Sequence, residues 1–199
     1  MILLSLSNSK SPPFVVSAIL NFAGLVLYAT ICLKMSPKKL LCASVLSRLD
    51  YCNSLLAGCP TYLLTKLQKV QNNAARLIFR TPGRSAHVTP MLHSLHWLTI
   101  EQRIEYKLSV LCFKIISHQA PIYLSEFLHL YTPSRQLRSS TDTRVFRIPS
   151  FRTKSCGQRS FSYQVPVIWN QLPVSVRHST SVSSFKSSLK AILFLKTIS

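Results

Sequence analysis

From residue 40 to the C-terminus, apolar residues recur at helical spacing, and nearly every such run is closed by proline or glycine. Leu41, Val45, Leu49 and Cys52 mark a helix over Leu40 to Leu56, stopped at Gly58-Cys59-Pro60. A second helix runs from near Thr61 to about Arg80 on a face of Leu63, Leu67, Val70, Ala74, Leu77 and Ile78, and it ends at Pro82-Gly83. Thr99-x-x-Gln102 is a capping box opening a third helix. The stripe of that helix is Ile100, Ile104, Leu108, Leu111 and Ile115, widened by Cys112, Phe113 and Ile116, which makes it central to a core. Glu101 and Glu105 lie toward its start and Lys114 and His118 toward its end, as the helix dipole prefers. Ala120-Pro121 breaks it, and a short helix over Ile122 to Leu130 follows, closed by Thr132-Pro133. A last helix, about Val182 to Leu195 with Ser181 as its cap, sets Phe185, Leu189, Ile192 and Leu193 on one face and Lys186 and Lys190 on another. The pattern predicts a mainly α fold, a small helical bundle of four to five helices.

Residues 133–164 differ in kind. Arg135, Arg138, Arg144, Arg147, Arg152, Lys154 and Arg159 face only Asp142, with Phe146, Phe151, Phe161 and Tyr163 spaced among them. Val145-Phe146-Arg147-Ile148 alternates like a strand before Pro149, so this segment is expected to be irregular or to form a short β-hairpin. Trp169 and Leu172, ahead of Pro173, read as an anchor onto the helical core. The expected divisions are residues 1–39, a hydrophobic extension; 40–132, a helical domain; 133–180, the basic aromatic-interleaved segment; and 181–199, the C-terminal helix.

Charge narrows the function. The chain holds 24 Lys and Arg against five Asp and Glu, a formal net charge of +19. Twenty of those cations and all five carboxylates (Asp50, Glu101, Glu105, Glu126, Asp142) fall in residues 40–199. No two carboxylates are adjacent, so a metal-holding acidic pair for phosphoryl transfer would have to be assembled from scattered positions. A hydrophobic content of 47% is too high for a disordered basic tail. The excess positive charge calls for an anionic partner, nucleic acid or an anionic membrane surface.

On the second helix Lys66, Lys69, Arg76 and Arg80 fall within about 80° of one another, opposite the apolar face. The stripe contains no acid. It reads either as an ordinary solvated face or as a track for phosphates. The Arg-rich segment admits the same two readings: arginine with spaced aromatics holds phosphates and stacks on bases, and a basic loop tethered by its aromatics has the same composition. Together Lys66, Lys69, Arg76, Arg80, Arg135, Arg138, Arg144, Arg147, Arg152 and Lys154 are the candidate nucleic-acid-binding residues. No catalytic or metal-ligating set and no cofactor is expected. His87, His93 and His96 have no carboxylate or cysteine at ligand spacing and read as structural. Cys32, Cys42, Cys52, Cys59, Cys112 and Cys156 contain no C-x-x-C pair and read as reduced. No nucleophile-elbow or phosphate-loop pattern frames the Ser, His and Cys present.

Phe14 to Leu33 is a 20-residue run without charge, long enough as a helix to span a bilayer's hydrocarbon core. Lys10 precedes it and Lys34, Lys38, Lys39 and Arg48 follow, an asymmetry that would leave the C-terminal bulk in the cytoplasm. A cleaved signal peptide fits less well, because the basic residues follow the run. The alternatives are a membrane-spanning helix and a chance apolar run. Localisation follows the choice: membrane if the run inserts, nucleus or cytoplasm otherwise.

The wording of the sequence carries a further expectation. Ser47-Arg48-Leu49-Asp50-Tyr51-Cys52-Asn53-Ser54-Leu55-Leu56-Ala57-Gly58 and Leu67-Gln68-Lys69-Val70-Gln71-Asn72-Asn73-Ala74-Ala75-Arg76-Leu77-Ile78 resemble the region after the catalytic core of LINE-type, non-LTR retrotransposon reverse transcriptases of the jockey-like class. Leu95-His96-Trp97-Leu98, Gln102-Arg103-Ile104, Ala120-Pro121-x-Tyr123-Leu124, Tyr131-Thr132-Pro133-Ser134-Arg135-x-Leu137-Arg138-Ser139-Ser140, Trp169-Asn170-x-Leu172-Pro173 and Ser184-Phe185-Lys186-Ser187-x-Leu189-Lys190 continue it in order, over about residues 40 to 195. The resemblance implies a catalytically inactive fragment of an RNA-directed DNA polymerase, similar in position to a thumb and connector. The Tyr-x-Asp-Asp active site of such enzymes has nothing to map onto here. The partner it implies is RNA or an RNA/DNA duplex, gripped through phosphates without base readout. Residues 1–38 have no counterpart in it, as expected of a start at a chance methionine or of flanking DNA read through. Without a catalytic core to lean on, exposed apolar surface is expected.

Overall fold

The computed structural model describes residues 38, 42–81, 87–132, 144–153 and 157–196. Arg135, Arg138 and Lys154, the apolar run Phe14 to Leu33, and the Pro82-Gly83 stop lie outside the described residues. The fold is mainly helical, as the periodicity predicts. Among the described residues no strand forms, and no helix is long and apolar enough to cross a membrane. The helices are α1 (Ser47–Asp50), α2 (Thr61–Phe79), α3 (Thr89–Ser94), α4 (Ile100–Ile116), α5 (Phe161–Asn170), α6 (Val174–Arg177) and α7 (Val182–Lys196). A π-helical turn, Cys42–Leu46, runs into α1, and 3₁₀ turns cover Asn53–Leu56, Ile122–Phe127 and Gly157–Arg159. They divide into two units, the first drawing its described residues from Met1–Tyr51 and Thr61–Leu95, the second from Cys52–Pro60 and His96–Ser199.

In the first unit α2 packs on α3 and on the π-helical turn. Leu46, Leu49, Ala74, Ala75, Leu92 and Leu95 are buried. Gln71 is also buried, inside an amide cluster in which Gln68 Nε2 donates to Gln71 Oε1 (3.1 Å) and Asn72 Oδ1 (2.8 Å). Of the face expected for this helix, Leu77 is exposed instead. α2 ends in a Schellman motif: Arg80 N donates to Leu77 O and Thr81 N to Arg76 O, with Arg80 itself left-handed at φ 51°.

The helix expected over Leu40 to Leu56 is broken. Tyr51 is extended and Cys52 left-handed at φ 52°, after which the chain tightens into the Asn53–Leu56 turn. The physical reason is a change of destination: Leu46 and Leu49 are buried residues of the first unit, Asn53 and Ala57 of the second. Tyr51 and Leu55 stay largely exposed.

In the second unit α4 is central, as its stripe predicts. It packs against α5, α7 and the 3₁₀ turns Asn53–Leu56 and Ile122–Phe127. The capping box forms in full, with Gln102 N donating to Thr99 Oγ1 (3.4 Å) and Thr99 N to Gln102 Oε1 (3.1 Å). Gln102 Nε2 also donates to Leu193 O of α7 (2.8 Å), and Lys196 Nζ meets Glu105 Oε1 at 2.8 Å, so two polar links bind α4 to α7. α4 stops at a second Schellman motif, His118 N to Ile115 O and Gln119 N to Lys114 O, with His118 at φ 54°. Ser181 Oγ accepts from Ser184 N (3.2 Å), which is the cap expected for α7.

Four rings form the centre of this unit. Phe113 of α4 stacks on Phe185 of α7 at 4.5 Å, Phe185 on Trp169 of α5 at 5.7 Å, and Trp169 meets Phe146 edge-on at 6.2 Å. Trp169 and Phe185 are completely buried, so Trp169 does anchor its segment to the helical core. Burial pushes the Cys112 thiol well above its ordinary value of 9.0, keeping it neutral. Gly58, left-handed at φ 66°, lies so close to Gln164 that a Cβ would come within 2.7 Å of its Nε2. Apolar surface also stays exposed here, in Ile122, Tyr123, Phe127, Leu130 and Tyr131.

Candidate nucleic-acid interface

The described candidate cations divide between the two units, Lys66, Lys69, Arg76 and Arg80 in the first and Arg144, Arg147 and Arg152 in the second. On α2 the outward azimuth holds exposed Tyr62, Lys69 and Asn73. Lys66 is half-buried, with its ammonium 5.8 Å from the Tyr62 ring centre. Arg76 is also half-buried, and its Nε finds no hydrogen-bond partner among the described residues. Arg80 is exposed but lies past the helix end in the left-handed region, so the helical step no longer fixes its direction. The uniform stripe expected on this helix is therefore graded: Lys69 projects fully, Lys66 and Arg76 lie along the surface, and Arg80 belongs to the cap.

In the second unit the expected short strand is reduced to an isolated antiparallel bridge, Leu130 with Phe146. Tyr131 N donates to Val145 O and Arg147 N to His129 O, both at 2.8 Å. Alternation of side chains then sends Phe146 inward, where it is 4% exposed, and Arg147 outward. On the edge of Phe146 that faces away from this bridge, a side chain stands where a further strand would pair. Asn170 Oδ1 accepts from Phe146 N (3.0 Å) and Asn170 Nδ2 donates to Phe146 O (2.8 Å), so one amide satisfies both backbone groups.

Arg144 is turned into the fold. Its Nη1 donates to Arg177 O (2.8 Å), while its own carbonyl accepts from Trp169 Nε1 (2.8 Å) and Arg177 Nη1 (3.4 Å). Arg177 is buried, and its Nε donates to Leu172 O (3.0 Å). Arg144 thus helps to fasten residues 144–147 to α5 and α6, and its guanidinium is not presented to a ligand. Arg147 and Arg152 are exposed. Arg159 is exposed too, with Nη2 2.8 Å from Cys59 Sγ.

Asn170 and Arg177 are the positioning residues that sequence reasoning passes over. The Trp169-Asn170-x-Leu172-Pro173 wording is the signal that contained both ends of this arrangement, since Trp169, Asn170 and the Leu172 carbonyl each hold part of it. Among the described residues no group of His, Cys, Asp and Glu is placed to hold a metal ion. His93 and His96 are exposed, and His96 packs edge-on to Phe194 at 6.2 Å. Cys42, Cys52, Cys59 and Cys112 are free thiols. No family model, no curated protein and no solved structure matches the chain.

Proposed function

We propose that this chain is a non-catalytic relative of the thumb-like C-terminal region of LINE-type reverse transcriptases, and that it holds RNA or an RNA/DNA duplex through phosphates without reading sequence. The observation that carries the reading is the exposure of Lys69, Arg80, Arg147 and Arg152 in a chain with only five carboxylates. One of those carboxylates, Glu105, is already paired with Lys196. Exposed cations displace counterions from a phosphate backbone, and that term is independent of base identity. The ordered wording of residues 40 to 195 supplies the likeness to a polymerase region. The absence of any adjacent Asp pair from the sequence supports a holding role and not a catalytic one.

The test is a titration of the full-length chain, in mild detergent, with an RNA/DNA duplex across a salt series. A steep fall of log affinity with log salt, equal for unrelated duplex sequences, is expected. A flat dependence, or strong preference for one sequence, overturns the reading. A second reading, a membrane-anchored protein with a basic cytosolic portion, is favoured by the uncharged run Phe14 to Leu33. For that reading, retention of the expressed chain in the membrane pellet after carbonate extraction is expected, and complete release discards it.

A further inference from the structure

A cavity of about 420 Å³ opens beside the Leu130–Phe146 bridge, lined by Glu126, Phe127, His129, Arg147, Pro149, Ser150 and Ser162. The volume falls within the range of small-ligand sites, about 300–1,000 Å³. Its construction is specific. The bridge makes His129 and Arg147 a cross-strand pair on one face, because the two residues flank Leu130 and Phe146 in opposite directions. Phe146 is pinned by the Asn170 amide and the Trp169 ring, so Arg147 emerges from a fixed backbone. The facing wall is the Ile122–Phe127 turn, which buries none of its own side chains and leaves the Phe127 ring 52% exposed. Ser162, in the first turn of α5, contributes to the remaining wall.

We propose that this cavity takes one unpaired nucleotide of an RNA strand. The proposal rests on the nucleic-acid reading above and names a second mode of contact within it. Three chemistries meet in the cavity. Arg147 offers guanidinium donors for a phosphate, Phe127 a flat apolar face for a base, and Glu126 a carboxylate acceptor for a base N–H or a ribose hydroxyl. The hydroxyls of Ser150 and Ser162 and the His129 imidazole donate or accept at the edges. A bare phosphate would engage Arg147 but meet the Glu126 carboxylate. A hydrocarbon would cover Phe127 but bury Arg147 and Glu126 without partners. A nucleotide uses all three. It has to be unpaired, because a base inside a helix has neither a free face for Phe127 nor a free pairing edge for Glu126.

The experiment uses the full-length chain and its Phe127→Ala, Arg147→Gln and Glu126→Gln variants, each checked for native helicity by circular dichroism. The probes are a short single-stranded RNA, a fully paired RNA/DNA duplex, AMP, GMP, CMP and UMP in turn, and inorganic phosphate as competitor. All three variants are expected to weaken single-stranded RNA binding about tenfold, and Phe127→Ala to leave duplex binding unchanged. Single-strand affinities equal to the parent's in Phe127→Ala and Arg147→Gln overturn the proposal. So does competition by inorganic phosphate at the concentration at which a mononucleotide competes, or tighter binding in Glu126→Gln. Mononucleotide binding without strand binding overturns the assignment to RNA. Salt-steep duplex binding alongside unaffected pocket variants leaves the phosphate-holding function standing and removes only the nucleotide pocket. Pocket-dependent strand binding with salt-independent duplex binding does the reverse.

Discussion

Asn170 shows how much one side chain can organise. Its amide supplies Phe146 with the donor and acceptor that a neighbouring strand would supply, at 2.8 and 3.0 Å, and so takes the place of a further strand on that edge. Arg177 makes a matching economy, serving two carbonyls at a buried position with one guanidinium. Neither role is legible from the sequence, because an amide or guanidinium acquires its meaning only when the chain returns a carbonyl 24 or 33 residues away. The same applies to Arg144, which in sequence is one more cation of the basic segment and in the fold is a fastening. His118 offers the cleanest test at this scale. It is exposed, and it occupies at φ 54° the left-handed position of the motif that ends α4, where glycine carries no Cβ penalty. His118→Gly is expected to stabilise the second unit by about 0.5–1 kcal/mol, the gain at the left-handed position being partly offset by a more flexible unfolded chain. Chemical denaturation followed by circular dichroism checks it, and a loss of stability would contradict the capping role.

Among the elements, α2, α4 and α7 are legible because each presents a long apolar stripe, and α4 fulfils its capping box in detail. α5 is not legible. Its residues sit in a segment dominated by arginine and serine, and Pro166 stands inside the helix, the ordinary sign of a break. Tertiary packing overrides that sign, with Val165, Pro166 and Trp169 all buried. The entrance to α5 depends on a close approach: a Cβ on Gly157 would lie 2.5 Å from Phe151 Cβ and 2.7 Å from its Cγ. Phe151 in turn packs edge-on to Tyr163 of α5 at 6.2 Å. The clash falls on atoms next to the Phe151 backbone, which cannot swing aside. Gly157→Ala is therefore expected to cost about 1–3 kcal/mol by overpacking. Thermal unfolding measures this, and an unchanged midpoint would show that the approach is looser than described.

For the whole molecule, charge is the property the sequence states most plainly and locates least well. The count of 24 cations against five carboxylates predicts an anionic partner, yet it does not distinguish Lys69, Arg147 and Arg152, which face solvent, from Arg144 and Arg177, which face carbonyls. The expected salt dependence follows from the first group alone. Each exposed cation that touches a phosphate adds about 0.9 to the slope of log affinity against log salt. Lys69→Gln should accordingly lower that slope by about one without altering preference among duplex sequences, whereas Arg144→Gln should act through stability. The fold class was legible at this scale, and the division into two units was not, since it turns on the left-handed Cys52 in a stretch that reads as continuous helix.

The ring column at the centre of the second unit has an optical consequence. The chain contains two tryptophans, Trp97 and Trp169, and both are buried residues of that unit. The emission of Trp169 therefore records solvent reaching the Phe113–Phe185–Trp169–Phe146 stack, while α2 and α3 contain no tryptophan of their own to report their melting.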